Sequence, residues 1–94
     1  MNYDVIIIGC GVTGASCAYT LAQHKLRVGV LEASNDVANG TTKANSAIVH
    51  AGYDPETGTE MAQLNVRGAA LMGEQCRRLD VPYANIGSLV LSLS

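Results

Sequence analysis

The sequence predicts an α/β fold, because a strand, a helix and a second strand follow one another and a long helix comes after them. Residues 3–9, YDVIIIG, form an unbroken apolar run rich in β-branched side chains. Such a run is typical of a strand covered on both faces, as in a parallel sheet. Residues 26–33, LRVGVLEA, predict a second strand of this kind. The segment from about Val12 to His24 predicts the connecting helix, which completes a βαβ unit.

The second half of the sequence predicts one long helix and then a third strand. From Thr59 to Leu79, apolar side chains recur at helical spacing. Thr57 and Glu60 have the spacing of a capping box, which would begin this helix. Pro82 is expected to end it, because the residue before a proline disfavours helical dihedrals. Residues 87–94, GSLVLSLS, alternate apolar and polar side chains, as a half-exposed strand does.

Composition and charge exclude several classes of protein. The 94 residues are 48% hydrophobic and 15% charged, which is typical of a folded chain rather than a disordered one. A net charge of −2 offers no basic patch for nucleic acid. Glycines interrupt the first apolar run well short of the length that spans a membrane.

The cysteines indicate neither a disulfide framework nor a metal site. Cys10, Cys17 and Cys76 are odd in number, and no two of them have CxxC spacing. The first residues, MNYD, lack the basic start of a secretory signal. We therefore expect a cytoplasmic protein without a bound metal, and peripheral attachment of a longer parent protein to a membrane stays open.

A glycine motif joins the first strand to the first helix. Gly9, Gly11 and Gly14 have the GxGxxG spacing, directly after a buried strand and at the start of a helix. In this context the first glycine permits a tight turn, the second lets the backbone approach a pyrophosphate, and the third allows close packing of helix and strand. Glu32 ends the second strand, where a carboxylate can accept hydrogen bonds from ribose hydroxyls. The pattern predicts a Rossmann-like unit that binds a dinucleotide.

The residues alone leave two dinucleotides open. A carboxylate at Glu32 would repel a 2′-phosphate, so NADP is disfavoured. NAD and FAD both fit the glycine motif. After the second strand the chain enters a long loop and a long helix rather than another short βαβ unit, and this arrangement favours FAD.

Beyond the glycine motif, the sequence resembles a known family. Residues 4–23, DVIIIGCGVTGASCAYTLAQ, and above all residues 41–55, TTKANSAIVHAGYDP, look like the start of FAD-dependent oxidoreductases of the D-amino-acid-oxidase type. Within that family the resemblance is to flavoprotein glycerol-3-phosphate dehydrogenases and to their neighbours, the L-2-hydroxyglutarate oxidases. The resemblance covers essentially the whole chain, and family members are several times longer.

The resemblance implies a place along FAD for each matching residue. Glu32 would hold the adenosine ribose, and His50 would lie on the substrate side of the flavin. Three residues would follow the pyrophosphate and ribityl chain: Thr41, Thr42 and Lys43. Three would pass near the reactive edge of the isoalloxazine: Asn45, Ser46 and Ala47. Five would cradle the pyrophosphate: Gly9, Gly11, Val12, Thr13 and Gly14.

One departure from the family pattern bears on the substrate. Hydroxyglutarate-oxidising relatives typically carry Gly-His where this chain has Lys43 and Ala44. The difference favours sn-glycerol 3-phosphate as the substrate and removes a histidine that could attach the flavin, so we expect non-covalent FAD. His50 is the candidate catalytic base, because an imidazole can accept the proton of an alcohol. A loop histidine that only shapes the site is an equal alternative.

We expect the chain to be the N-terminal part, residues 1–94, of an FAD-binding domain in a longer enzyme. The rest of that domain and the substrate domain would lie outside it. Alone, the chain would be inactive and would self-associate through uncovered strand edges and apolar faces. Two alternatives remain. The first is an FAD-dependent oxidase of L-2-hydroxyglutarate or of other 2-hydroxy or amino acids, and the second is a catalytically silent, self-associating dinucleotide-binding fragment.

Overall fold

A computed structural model describes residues 2–93 of the chain. The described elements are strand β1, helix α1, strand β2, a short 3-10 helix and helix α2. In chain order their bounds are Val5–Ile8, Val12–Leu21, Val28–Leu31, Thr41–Lys43 and Glu60–Leu79. They fall into two compact units, one ending at Ala47 and one beginning at Ile48.

The first unit is a βαβ unit, as the sequence predicts. β1 and β2 pair in parallel, with Val5 opposite Val28 and Ile8 opposite Leu31. Parallel pairing requires a crossover, and α1 supplies it. Asp4 fixes the start of the pair, because its carboxylate accepts the Arg27 N–H at 2.8 Å. Because the strands are parallel, their carboxyl ends lie at the same edge of the sheet, where ligands bind in α/β folds.

The second unit is built on α2, which begins slightly later than the capping-box prediction requires. Thr59, in extended conformation, is the N-cap, and its hydroxyl accepts the Ala62 N–H at 3.2 Å. The prediction that Thr57 caps the helix is wrong. Gly58 adopts a left-handed φ of +85° between them, so the backbone turns into the helix only at Glu60.

The C-terminal end of α2 confirms the predicted stop. Asp80 adopts a left-handed φ of 56°, and the Val81 N–H donates to the Cys76 carbonyl at 2.8 Å. Glu74 accepts hydrogen bonds from both Arg77 and Arg78 one turn before this end. The Val81 N–H satisfies a carbonyl at the end of the helix. The two arginines lie in the last turn, where the helix dipole favours cations.

The predicted third strand is wrong for residues 87–93, which form no strand in the structure. A strand needs a partner for its backbone hydrogen bonds, and no segment within residues 2–93 pairs with this one. Its apolar side chains lie open, with Leu89 94% exposed and Leu93 100% exposed. Over the described residues the fold is therefore a two-stranded βαβ unit followed by one long helix.

Neither unit encloses a core of its own. No side chain in residues 2–93 is fully buried, and Ile8 and Leu31 at the strand ends are 86% and 59% exposed. Each unit thus presents apolar surface rather than hiding it. Within the same residues, neither helix combines the length and apolar character needed to cross a membrane.

Candidate functional site

The turn after β1 brings backbone against backbone. Gly9 adopts a φ of +99°, and its N–H donates to the Leu31 carbonyl at 2.7 Å. The first turn of α1 then passes so close that a Cβ on Gly14 would lie 2.0 Å from the Gly9 carbonyl oxygen. Only glycine fits at position 14, because the Cβ of any other residue would overlap this carbonyl oxygen. The close approach aims the start of α1 at the carboxyl edge of the sheet.

Glu32, at the end of β2, reaches into this turn. Its Oε1 accepts the Cys10 N–H at 2.9 Å, and its Oε2 accepts the Ser34 N–H at 2.8 Å. The hydrogen bonds from Ser34 and then Cys10 lower the pKa of the Glu32 carboxyl below its ordinary value. A carboxylate offers about four acceptor sites, so two such bonds leave capacity for two more donors. The exposed carboxylate can therefore accept the vicinal hydroxyls of a ribose.

The start of α1 is met by a side chain from a distant loop. Gly11 is the N-cap and has no side chain to satisfy the first amides of the helix. Thr42, in the 3-10 helix, supplies its Oγ1 to the Val12 N–H at 2.9 Å. A Cβ on Gly11 would lie 3.0 Å from this oxygen, so Gly11 makes room for it. A hydroxyl oxygen thus occupies the position where a helix N-terminus binds an anionic oxygen.

A polar network connects Glu32 to the 3-10 helix. The Ser34 hydroxyl accepts from the Asn39 amide at 3.1 Å, and the Asn39 carbonyl oxygen accepts from the Lys43 ammonium. The loop also docks on the glycine turn, since the Ala38 N–H donates to the Cys10 carbonyl at 2.8 Å. These contacts join Glu32, the loop after β2 and the 3-10 helix in one polar network within the first unit.

Asn45 stabilises the end of this loop. Its amide nitrogen donates to the Thr42 carbonyl, and its amide oxygen accepts the Ala47 N–H at 2.7 Å. The second bond is an Asx turn, and it holds Ala47 at a left-handed φ of 57°. Both polar groups of the side chain are used within the loop. The shape of the segment through Ser46 therefore depends on Asn45.

In the second unit a cleft of about 370 Å³ is lined by His50, Asp54, Pro55, Met61 and Asn65. The His50 Nδ1 lies 3.0 Å from the Asp54 Oδ2. The Asn65 Oδ1 is shielded from solvent and has no hydrogen-bond partner among the described residues. Buried acceptors without partners are rare, so this oxygen is available to a donor that enters the cleft.

Gly52 lets the loop that carries His50 and Asp54 pack closely on α2. It has a φ of +112°, and a Cβ there would lie 2.5 Å from the Val66 Cγ2 on α2. The loop can therefore approach α2 this closely only with glycine at the turn.

The family model described as FAD dependent oxidoreductase matches residues 4–94. The chain belongs to this family. The resemblance inferred from the glycine motif and residues 41–55 is thereby confirmed, as is FAD as the cofactor of the family.

Relatives of this FAD-dependent oxidoreductase chain carry three kinds of name. A "Glycerol 3-phosphate dehydrogenase" of Caloramator mitchellensis is 52% identical over 96% of the chain and 19% of that protein. A "Glycerol 3-phosphate oxidase" of Mycoplasma genitalium is 37% identical over 97% of the chain and 24% of the relative. A human mitochondrial "L-2-hydroxyglutarate dehydrogenase" is 36% identical over 98% of the chain and 20% of the relative. The chain thus spans about a fifth to a quarter of the length of these relatives.

The first unit suits the adenosine diphosphate half of FAD. Gly11 leaves the start of α1 without a side chain of its own, and Glu32 has acceptor sites left for a ribose. The Thr42 hydroxyl lies against the Val12 N–H. Of the residues expected along the ligand, the structure brings the glycine turn, Glu32 and Thr42 together. Lys43 ends the 3-10 helix, Asn45 and its neighbours lie in the loop after it, and His50 lies in the second unit.

Two residues of interest were missed at the sequence level. Asp54 lies four positions after His50, and the intervening Gly52 is the signal that the chain turns back there. Asn65 sits on α2 without any pattern to distinguish it from an ordinary helix residue. Only the packing of the loop on the helix makes its oxygen an unpartnered acceptor.

Proposed function

We propose that the chain supplies the N-terminal part, residues 1–94, of the FAD-binding domain of a longer oxidoreductase. The observation that carries this proposal is the meeting of Glu32 with the glycine turn through the Cys10 N–H. This contact supports the proposal, because a ribose acceptor and a pyrophosphate cradle would then lie together at one edge of a parallel sheet. The cradle residues are Gly9, Gly11, Val12, Thr13 and Gly14.

The loop after β2 would continue along the cofactor. In this proposal Thr41, Thr42 and Lys43 line the pyrophosphate and ribityl chain, with the Lys43 ammonium neutralising phosphate charge. Asn45, Ser46 and Ala47 pass near the flavin edge, and the Asx turn of Asn45 keeps that backbone in a fixed shape. We propose non-covalent binding, because Lys43 and Ala44 replace the Gly-His of hydroxyglutarate-oxidising relatives.

The substrate we propose is sn-glycerol 3-phosphate, which would be oxidised to dihydroxyacetone phosphate. The relative of 52% identity is named for this compound, and the Lys43–Ala44 departure favours it. Bound FAD would accept the hydride from the alcohol carbon. His50 would take the hydroxyl proton, since a neutral imidazole nitrogen with a free lone pair can act as a general base. Phosphate-binding residues would come from outside this chain.

A second candidate is oxidation of L-2-hydroxyglutarate. The human relative named for that substrate is 36% identical over nearly the whole chain. The chemistry at carbon is the same, a secondary alcohol becoming a ketone. The two candidates differ in whether the substrate carries a phosphate or two carboxylates.

The deciding measurement is flavin bleaching in the full-length protein. Under anaerobic conditions we expect sn-glycerol 3-phosphate to abolish the visible flavin absorbance, because the hydride reduces FAD. L-2-hydroxyglutarate at the same concentration is the matched comparison and should leave the absorbance unchanged. Bleaching by L-2-hydroxyglutarate alone would transfer the proposal to the second substrate. A colourless protein with nicotinamide-dependent activity would overturn both.

A further inference from the structure

The pairing of His50 with Asp54 is not accounted for by stability. The two side chains are 54% and 53% exposed, and an exposed ion pair contributes little to folding. Yet the pair is held by two backbone constraints. Gly52, between them, turns at a φ that only glycine adopts readily, and Pro55 restricts Asp54 to extended conformations. The sequence therefore fixes the spacing of a contact that the fold does not need.

We propose that Asp54 is a positioning residue that sets the tautomer of His50. The Asp54 Oδ2 lies 3.0 Å from the His50 Nδ1. Because an ionised carboxylate can only accept hydrogen bonds, a hydrogen bond across this contact requires the proton on Nδ1. In a neutral imidazole the Nε2 then holds the free lone pair. Both residues line the same cleft, so the acceptor nitrogen belongs to a side chain that an entering ligand can reach. The inference rests on the proposed role of His50 as the base that receives the alcohol proton.

The atoms of that step balance with Asp54 as a spectator. In the proposed step the O–H bond of the alcohol would break as the N–H bond at Nε2 forms, and the hydride on the alcohol carbon would pass to bound FAD. His50 becomes an imidazolium, with protons on both nitrogens, and the carboxylate of Asp54 faces the new positive charge. Asp54 neither gains nor loses a proton. Its contribution is the orientation of the ring and the attraction to imidazolium.

The first arm of the test is spectroscopic and does not depend on activity. The full-length protein labelled with ¹⁵N-histidine should show His50 as the Nδ1–H tautomer at a pH where the ring is neutral. Asp54→Asn should shift the population toward Nε2–H, because an amide can either donate to Nδ1 or accept from it. Asp54→Glu should retain the Nδ1–H form. Glu56→Gln removes the same charge from the same segment and should change nothing. An Nε2–H tautomer in the unmodified protein would overturn the proposal.

The second arm measures flavin reduction by sn-glycerol 3-phosphate. We expect Asp54→Asn to lower kcat by roughly 10- to 100-fold, a part of what a general base contributes. KM should stay within about twofold, because the base acts on the transition state. Asp54→Glu should recover part of the loss, and thermal melting with the flavin spectrum confirms folding of each variant. Unchanged kcat in Asp54→Asn, with normal flavin reduction, would overturn this inference alone. Absence of reduction in the unmodified protein would instead contradict the proposed function.

Discussion

At the scale of single residues, Glu32 shows what a sequence can and cannot predict. Its place at the end of β2 follows from the apolar pattern, and its role as an acceptor follows from its spacing to the glycine motif. The hydrogen bond to the Cys10 N–H does not, because the direction of that amide depends on the left-handed turn at Gly9. The sequence likewise does not predict the contact of His50 with Asp54, because that contact depends on the turn at Gly52.

The amide contacts of Glu32 make a prediction about pH. They lower the pKa of its carboxyl in the folded chain, with Ser34 the larger cause, and unfolding removes them. The ionised Glu32 therefore stabilises the fold at any pH above its pKa in the unfolded chain. This contribution is lost as the pH falls through the lower pKa that Glu32 has in the folded chain. We expect the amide proton resonances of Cys10 and Ser34 to shift with a midpoint below the usual range for glutamate.

Two variants calibrate that measurement. Glu32→Gln should abolish the titration at both amides, since no proton can then be gained. Glu56→Gln, a change of equal charge elsewhere, should leave it intact. A midpoint at the ordinary glutamate value would show that the two hydrogen bonds do not persist in solution.

At the scale of elements, local signals succeeded where the chain provides the partner. The predictions of β1, α1 and β2 are confirmed. Each of these elements contacts the other two within the first unit, so the partners that the patterns require are present in the chain. The strand expected at residues 87–94 was not found in its described part, because alternation describes a face and not the neighbour that pairs with it. The predicted start of α2 was two residues too early. Gly58 adopts a left-handed φ, and the spacing of Thr57 and Glu60 carries no information about that backbone dihedral.

The junction of β1 and α1 gives the second prediction. Gly14→Ala places a methyl group against the Gly9 carbonyl, so the helix must move away from the strand. We expect the free energy of unfolding to fall by about 1–3 kcal/mol, as overpacking does. Gly68→Ala is the matched control, because Gly68 lies within helix α2 and its Cβ would meet nothing within 4 Å. Alanine favours a helix more than glycine does, so the control should not lower the free energy of unfolding.

Urea unfolding of the 94-residue chain at low concentration, followed by circular dichroism, measures both variants. Equal stabilities for Gly14→Ala and Gly68→Ala would mean that the close approach at Gly9 relaxes at no cost. In that case the glycine would be required by the ligand rather than by the packing of α1.

At the scale of the whole molecule, the prominent property is apolar surface. Large side chains are exposed at the sheet edge, along α2 and in the last residues described, among them Ile8, Met61 and Leu91 at 86%, 70% and 84%. Exposed apolar patches of this kind mark contact surfaces. The two strands also each have one edge without a partner in residues 2–93.

We therefore expect the isolated chain to self-associate. Its mass by light scattering should rise with concentration, because association buries the uncovered faces. Ile8→Lys, at the exposed end of β1, should lower the association, whereas Lys25→Arg, a change that keeps the charge, should not. A monodisperse monomer at millimolar concentration would contradict this prediction.

The hydrogen bond between Thr42 and the Val12 N–H has a consequence for solvent exchange. An amide in the first turn of a helix is ordinarily open to water, since no carbonyl of its own helix lies within reach. Here its shelter comes from a side chain 30 residues along the sequence. The Val12 amide can exchange when this hydrogen bond opens, through rotation of the Thr42 side chain or movement of its loop, so the loop sets the protection of the helix start. A phosphate oxygen arriving at that amide must wait for the same event.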